Sequence, residues 1–376
     1  MRIAVVHSFY STRQPSGENA VVEDQVQALE EAGHDVLLVA RRTDDLETGR
    51  HYGARAALRV ASGRGGSPER ELTEFAPDVV HLHNTFPNMG TAWLGNWGRR
   101  TVVTLHNFRT VCAAGTLFRD GHACTECIST PVRPALRHGC YRDSRVATMP
   151  LAAATRPSGA LRRIGRDSAE VIVLNEVARA VIADVYHREV QVLPNFVADG
   201  VPHPAPHAGW LYVGRLTQEK GVIELLSAWP AEERLDVVGA GPLEDEVRRL
   251  AAESPTVRYL GLVDRTDLRT GLGQYEGLIL PSLWPEGLPT VVLEAIAGGL
   301  PVVMSDRVAS SAEFVELGAA TLLRTPFDQR GVQSTLDKHR TDTGMRQRAQ
   351  DLHASRYSRS AWLDGIAPIY ERVAAG

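Results

Sequence analysis

The sequence lacks a long apolar run, a marked excess of charge of either sign and any low-complexity block. Its longest apolar stretch, Leu288 to Met304, is interrupted by Glu294, prolines and glycines. That excludes a membrane-spanning helix, which needs about 20 predominantly apolar residues. No secretory signal is legible, because Met1-Arg2-Ile3-Ala4-Val5-Val6-His7 is a short apolar run that leads straight into polar residues. A formal net charge of -4 over 376 residues provides no general attraction for nucleic acid. Heptads and short-period repeats are missing, which removes coiled coils and solenoids. Cysteine is scarce: there are four, all in one stretch. What remains is the composition of a globular protein, expected to be cytoplasmic and either soluble or peripheral to a membrane, and long enough for two domains with separate cores.

Short β-branched runs alternate with amphipathic segments along most of the chain. Strands are expected at Ile3–His7, Val36–Ala40, Val79–His83, Val102–His106, Val171–Leu174 and Val190–Leu193. Between the first two, Val22, Val26, Leu29 and Ala32 recur at helical spacing. Near-continuous apolar strands separated by helices predict a parallel sheet covered on both faces. The polar, glycine-rich stretch Thr43–Pro68 reads as a long loop with one short helix at most. Pro202-His203-Pro204-Ala205-Pro206-His207 reads as a semi-rigid linker. The alternation then restarts, with strands at Trp210–Gly214, Leu235–Gly239, Val257–Leu260, Leu278–Pro281 and Val302–Ser305 and helices at Ile223–Trp229, Leu243–Ala252 and Thr290–Gly298. The expected fold class is α/β, with two Rossmann-like doubly wound domains. In such sheets ligands bind beyond the carboxyl ends of the strands, which for two facing domains is the cleft between them.

Two motifs carry the chemistry. Gly214-Arg215-Leu216-x-x-x-Lys220-Gly221 directly follows an expected strand, so a guanidinium and an ammonium project from its carboxyl end. A pyrophosphate leaving group needs such cations, because negative charge grows on it as its bond breaks. Arginine chelates two oxygens, whereas lysine acts as a compact point charge. The second motif is Trp284-Pro285-Glu286-Gly287-Leu288-Pro289-Thr290-Val291-Val292-Leu293-Glu294-Ala295. Pro289 suits the first position of a helix, where its missing N–H costs nothing. The amides of Thr290 and Val291 would then face an anion. Glu294, about one turn further on, can accept bonds from two ribose hydroxyls, and Glu286 can reach those of a transferred sugar. Each side chain alone is equally well read as an ordinary loop or helix charge; their spacing and context favour a nucleotide-sugar site.

With these residues, Gly239-Ala240-Gly241-Pro242 and Gly299-Leu300-Pro301-Val302, the chain resembles the family 4 glycosyltransferases, which are retaining enzymes of GT-B architecture. Ser16-Gly17-Glu18-Asn19 looks like the family's glycine loop near the donor phosphate. Pro194-Asn195-Phe196-Val197 looks like the end of its first domain, and Arg356-Tyr357-Ser358 with the last helix looks like its returning tail. The resemblance implies an acceptor-binding domain over 1–200 with a cysteine-bearing loop at 108–145, a donor domain over 201–356 and a C-terminal helix over 357–376 packing on the first domain. It implies that Arg215 and Lys220 hold the phosphates, Glu294 the ribose and Glu286 the donor sugar. Gly17, Gly287, Leu288, Thr290 and Val291 would complete the donor site, with Gly261-Leu262-Val263 lining the base. His106, in Thr104-Leu105-His106-Asn107-Phe108-Arg109, matches the histidine on the acceptor side; His83 reads as structural. The implied activity is that of a hexosyltransferase of polysaccharide biosynthesis type. It would move sugar from a nucleotide diphosphate to a hydroxyl of a glycan, lipid-linked or small-molecule acceptor, with no cofactor in the chemistry. The chain departs from the family where Ser16-Gly17 replaces a glycine pair and Leu288-Pro289 replaces Phe-Gly.

Cys112, Cys124, Cys127 and Cys140 follow the spacing C-x11-C-x2-C-x12-C. Structural zinc, separate free thiols and redox chemistry are all open readings, since only one C-x2-C pair is present. Between Arg133 and Arg166 lie eight arginines and one acid, Asp143. That face suits an anionic acceptor, acidic lipid head groups or plain solvation. The rival functions are a sugar-nucleotide epimerase of the same build, a dinucleotide-dependent dehydrogenase and a nucleic-acid-binding module on the cysteine loop. Glu244 stands where the dehydrogenase needs its third glycine, and the nucleic-acid reading leaves Glu286 and Glu294 without a purpose.

Overall fold

A computed structural model of the chain describes residues 1–12, 17–49, 51–200 and 209–376. Ser16 and the linker over 202–207 lie outside the described residues. The structure divides into two compact units, Met1–Pro194 with Trp362–Gly376, and Asn195–Ala361. No helix among the described residues is long and apolar enough to cross a membrane.

The first unit holds β1 (Arg2–Phe9), β2 (Asp35–Arg42), β3 (Val79–Asn84), β4 (Thr101–Leu105), a small antiparallel hairpin of β5 (Phe118–Arg119) and β6 (His122–Ala123), then β7 (Glu170–Val173) and β8 (Gln191–Val192). Six of these form one parallel sheet in the order β2-β1-β3-β4-β7-β8. Ile3, Ala4, Val5 and Val6 are all fully buried, as are Val79, Val80, Val102 and Val103. Burial on both faces is why these strands read as unbroken apolar runs rather than as alternating ones. The last helix, Arg359–Ala375, buries Trp362, Ile366, Ile369, Tyr370 and Val373, and Tyr370 Oη lies 2.7 Å from His81 Nδ1 of β3.

The stretch expected to be mostly loop, Thr43–Pro68, contains an eleven-residue helix, Tyr52–Ser62, after a single helical turn at Thr43–Leu46. Only Ala56 and Val60 of that helix are buried, too few apolar positions to stand out in the sequence. Gly63 ends it in the left-handed conformation at φ 71°.

The second unit holds β9 (Trp210–Val213), β10 (Leu235–Val238), β11 (Val257–Gly261), β12 (Gly277–Leu280), β13 (Val302–Ser305) and β14 (Ala320–Leu323), all parallel, in the order β11-β10-β9-β12-β13-β14. The last strand was not legible in the sequence: Ala320-Thr321-Leu322-Leu323 offers a single β-branched residue. The strand order places the reversal of winding between β9 and β12. At such a reversal the loops leaving neighbouring strands diverge to opposite faces and open a crevice.

Candidate functional site

In the second unit, both sequence motifs leave the sheet at that reversal. Gly214, Arg215 and Lys220 follow β9, whereas Ser282, Trp284 and Glu286 follow β12. The two loops are held close. Gly221 sits at φ 68°, and a Cβ there would come within 2.2 Å of the Pro281 carbonyl oxygen. Only glycine fits, for conformation and for space. Gly239 at φ 147° plays the same part after β10, where a Cβ would lie 1.9 Å from the Gly214 carbonyl oxygen.

This approach brings Lys220 Nζ to 2.6 Å from Glu286 Oε2. The pair is nearly dry, with side-chain exposures of 15% and 6%. The Ser282 hydroxyl donates to the other oxygen, Oε1, and the Trp284 ring lies 5.8 Å from the ammonium. Glu286 is thereby fixed on both oxygens. Arg215 is different. It is 59% exposed and reaches Glu219 at 3.1 Å, a helical-spacing pair open to water, so that pairing holds it weakly and leaves it able to turn to an incoming anion.

The helix Thr290–Ala297 starts at Thr290, as expected, but Pro289 stands in the capping position rather than the first helical one. Pro289 offers no side-chain cap, so the amides of Thr290 and Val291 stay outside the helical ladder. Glu294 is buried in this helix and accepts a bond from Arg265 Nε at 2.9 Å. Gly287 and Val263 are half-buried on the flanking loops and Leu288 is buried. Arg265 and Ser282 are the partners that sequence reading missed. Arg265 stands two residues past the segment expected to line a base, and that proximity was the only available signal.

The first unit carries a separate polar cluster at its own winding reversal, between β1 and β3. His106 Nε2 lies 2.9 Å from His83 Nδ1, with the rings stacked at 5.3 Å. His83, read as structural, is therefore the direct neighbour of His106. His81 continues the row, with its Nε2 2.8 Å from Thr104 Oγ1. Gly17 opens the helix Gly17–Glu31, and the next residue, Glu18, enters a cavity of about 20 Å³ lined also by His83, Asn84, Thr85, His106, Asn107 and Arg109. That volume suits one water or one hydroxyl group. Glu18 Oε1, His83 Nε2, Thr85 Oγ1, Arg109 Nε and Thr110 Oγ1 of its lining are buried without a hydrogen-bond partner among the described residues. Five unpartnered polar atoms around one small space are an unusual concentration, because buried polar groups are ordinarily satisfied.

Burial drives the electrostatics of this cluster. It pushes the Glu18 carboxyl up to about 8, against the opposing pull of Arg109 and Asn84. It lowers His7 to about 4 and both His81 and His106 to about 3, so these imidazoles stay neutral at physiological pH. Two pH effects follow, of opposite sign. The histidines bind protons in the unfolded chain from about pH 6.5 but resist them in the fold until pH 3 to 4. The histidines' contribution to stability is therefore complete above pH 6.5 and falls below it, by roughly 1.4 kcal/mol per pH unit for each such histidine. A melting temperature that stayed flat from pH 6.5 down to about 4 would contradict this. Glu18 acts in reverse: its folded form holds a proton that the unfolded chain releases, so stability declines as pH rises from 4.5 to about 8. The Glu18→Gln variant should out-melt the parent chain in alkaline buffer and lose that margin in acid; an equal margin at both ends of the range contradicts the assignment.

All four cysteines are free, with Cys112 buried. Burial, with the neighbouring Cys112 thiol next in effect, pushes Cys127 up to about 11, and the same causes raise Cys140. The thiols are thus near one another, yet among the described residues no group of three or more His, Cys, Asp or Glu side chains is placed to hold a metal ion. The zinc expectation at Cys112, Cys124, Cys127 and Cys140 gains no support from their arrangement.

Comparison with known proteins completes the description. Residues 15–199 match Glycosyltransferase Family 4, and residues 208–338 match Glycosyl transferases group 1. The glycogen synthase of Mycobacterium tuberculosis is 35% identical over 150 residues, which are 36% of this chain and 35% of that protein. The match therefore spans only about a third of that relative's length. The phosphatidyl-myo-inositol mannosyltransferase of Mycolicibacterium smegmatis is 25% identical over 330 residues, 81% of this chain and 76% of the relative. Among solved structures, HepE of Anabaena in complex with UDP-glucose superposes with a TM-score of 0.61 at 16% identity, covering 99% of this chain and 100% of that one. At that identity the likeness is one of fold.

Proposed function

Since this chain belongs to the family 4 glycosyltransferases and has their GT-B class of fold, we propose that it transfers a sugar from a nucleotide diphosphate sugar to an acceptor hydroxyl. The observation that carries this reading is the Lys220–Glu286 pair beside Glu294 and an uncapped helix start, all at the winding reversal of the second unit. In this reading Arg215 and Lys220 neutralise the pyrophosphate, assisted by the amides of Thr290 and Val291. Glu294, steadied by Arg265, accepts bonds from the ribose, and Glu286 accepts them from the sugar. Gly287 and Leu288 flank the sugar, and Val263 with its neighbours lines the base. The solved relative whose description includes UDP-glucose agrees with a nucleotide-sugar donor.

The acceptor hydroxyl oxygen bonds to the anomeric carbon as the bond from that carbon to the leaving phosphate oxygen breaks. The departing oxygen takes the hydroxyl proton, so attack and departure share one face and the configuration is retained. Glu286, engaged by Lys220 and Ser282, acts on the sugar hydroxyls and is not the nucleophile that a double-displacement route requires. Neutral His106 offers a hydrogen bond to the sugar or the acceptor. The acceptor classes are glycans, lipid-linked sugars and small hydroxylated metabolites.

Screening nucleotide sugars for slow hydrolysis without acceptor tests this. One donor should release free sugar and nucleoside diphosphate in equal amounts. Failure of every nucleotide sugar to bind or react would overturn the proposal, and interconversion of two nucleotide sugars would assign the chain to the epimerases.

A further inference from the structure

We propose that the arginine-rich face built by helices Arg133–His138 and Arg145–Thr155 of the first unit docks on an anionic lipid bilayer surface. Two independent observations meet there. The helix Arg145–Thr155 buries Thr148, Leu151, Ala152, Ala154 and Thr155 against the core, yet Val146 and Met149, one turn apart, are 74% and 55% exposed. At that spacing they share one face of the helix, which therefore has an apolar side turned to water as well as one turned inward.

The second observation is charge. Arg133, Arg137, Arg142, Arg145 and Arg156 are all exposed, and among the described residues none of them forms an ion pair, although Arg142 stacks on the Tyr141 ring. In the next helix Arg163 and Arg166 share Asp167, so the lack of pairing belongs to this face rather than to the chain's arginines at large. The only acid along Arg133–Arg156 is Asp143, which stands with Arg142 in a left-handed turn between the two helices, at φ 50° and 55°.

A soluble polyanion would use the guanidinium groups and gain nothing from Val146 and Met149. The boundary between head groups and acyl chains takes both kinds of group at once: phosphates engage the arginines while short apolar side chains enter the layer beneath. With two apolar side chains the anchor is shallow, so binding should be reversible and weakened by salt. The proposal does not depend on the transfer reaction, because its test needs no turnover.

The full chain is floated with vesicles of phosphatidylcholine alone and with vesicles that also contain phosphatidylglycerol, at low and high salt. Binding is expected only to the anionic vesicles. Arg142→Ser with Arg145→Ser should weaken it by roughly tenfold or more. Val146→Ser with Met149→Ser should weaken it comparably, and Val177→Ser, an exposed apolar residue elsewhere, should not. As a second readout, Val146→Trp should show blue-shifted emission on anionic vesicles. Absence of binding to those vesicles overturns the proposal. So does binding that survives loss of Val146 and Met149, gives no emission shift and is displaced by double-stranded DNA; that outcome would mark a site for soluble polyanions.

Discussion

Glu286→Gln should lower turnover by roughly 10²–10³-fold, the usual scale for removing one preorganised electrostatic contact from a transfer site. The amide keeps the shape of the side chain and removes its charge. Lys220 loses the carboxylate 2.6 Å from its ammonium, and the sugar hydroxyls lose an acceptor already fixed by Ser282. Affinity for the nucleoside diphosphate alone should change little, because that fragment lacks the sugar. Steady-state kinetics with the donor found by screening, together with calorimetry of the nucleotide, separate the outcomes. Unchanged turnover removes Glu286 from the site. A parallel loss of nucleotide affinity would mean that the carboxylate serves only to place Lys220.

The second large effect is on stability. Lys220→Met leaves Glu286, 6% exposed, without its cation, and breaking a buried pair from one side costs about 3–5 kcal/mol. Adding Glu286→Gln should recover most of that loss, since the uncompensated charge is then gone. The coupling in a double-mutant cycle should therefore amount to a large part of the single-variant effect. Denaturant unfolding of the four proteins measures it. If the two substitutions simply add, the pair is a surface contact in solution and the tight geometry after β9 and β12 is not maintained there.

These two predictions concern residues that the sequence already singled out, and the reason is local. The cations after β9 and the carboxylates around Thr290–Ala297 stand at fixed short distances from strand ends or a helix start, so a linear reading finds them. The parallel sheets were legible for a similar reason: strands buried on both faces leave apolar runs such as Ile3-Ala4-Val5-Val6. The helix Tyr52–Ser62 escaped because it buries only Ala56 and Val60, and β14 because, although Ala320, Thr321 and Leu323 are buried, it offers a single β-branched residue.

Partnerships across the chain were not legible. Arg265 meets Glu294 from 29 residues away, and Lys220 meets Glu286 from 66. His83 was read as structural because nothing local connects it to His106, 23 residues on; they meet because β3 and β4 are adjacent in the sheet. Glu18 is the sharpest case. In the sequence it is an ordinary carboxylate beside a glycine, but in the fold its Oε1 is buried without a partner among the described residues and its proton is held up to about pH 8.

By itself, the sequence determined the class of fold, the order of its elements and the kinds of groups at the strand ends, because backbone conformation and burial leave periodic traces along a chain. Only the tertiary structure decided which charges face one another, which polar atoms are cut off from water and which apolar side chains are left outside. Solvent exclusion and through-space pairing depend on strand order, and no spacing along the chain encodes that order.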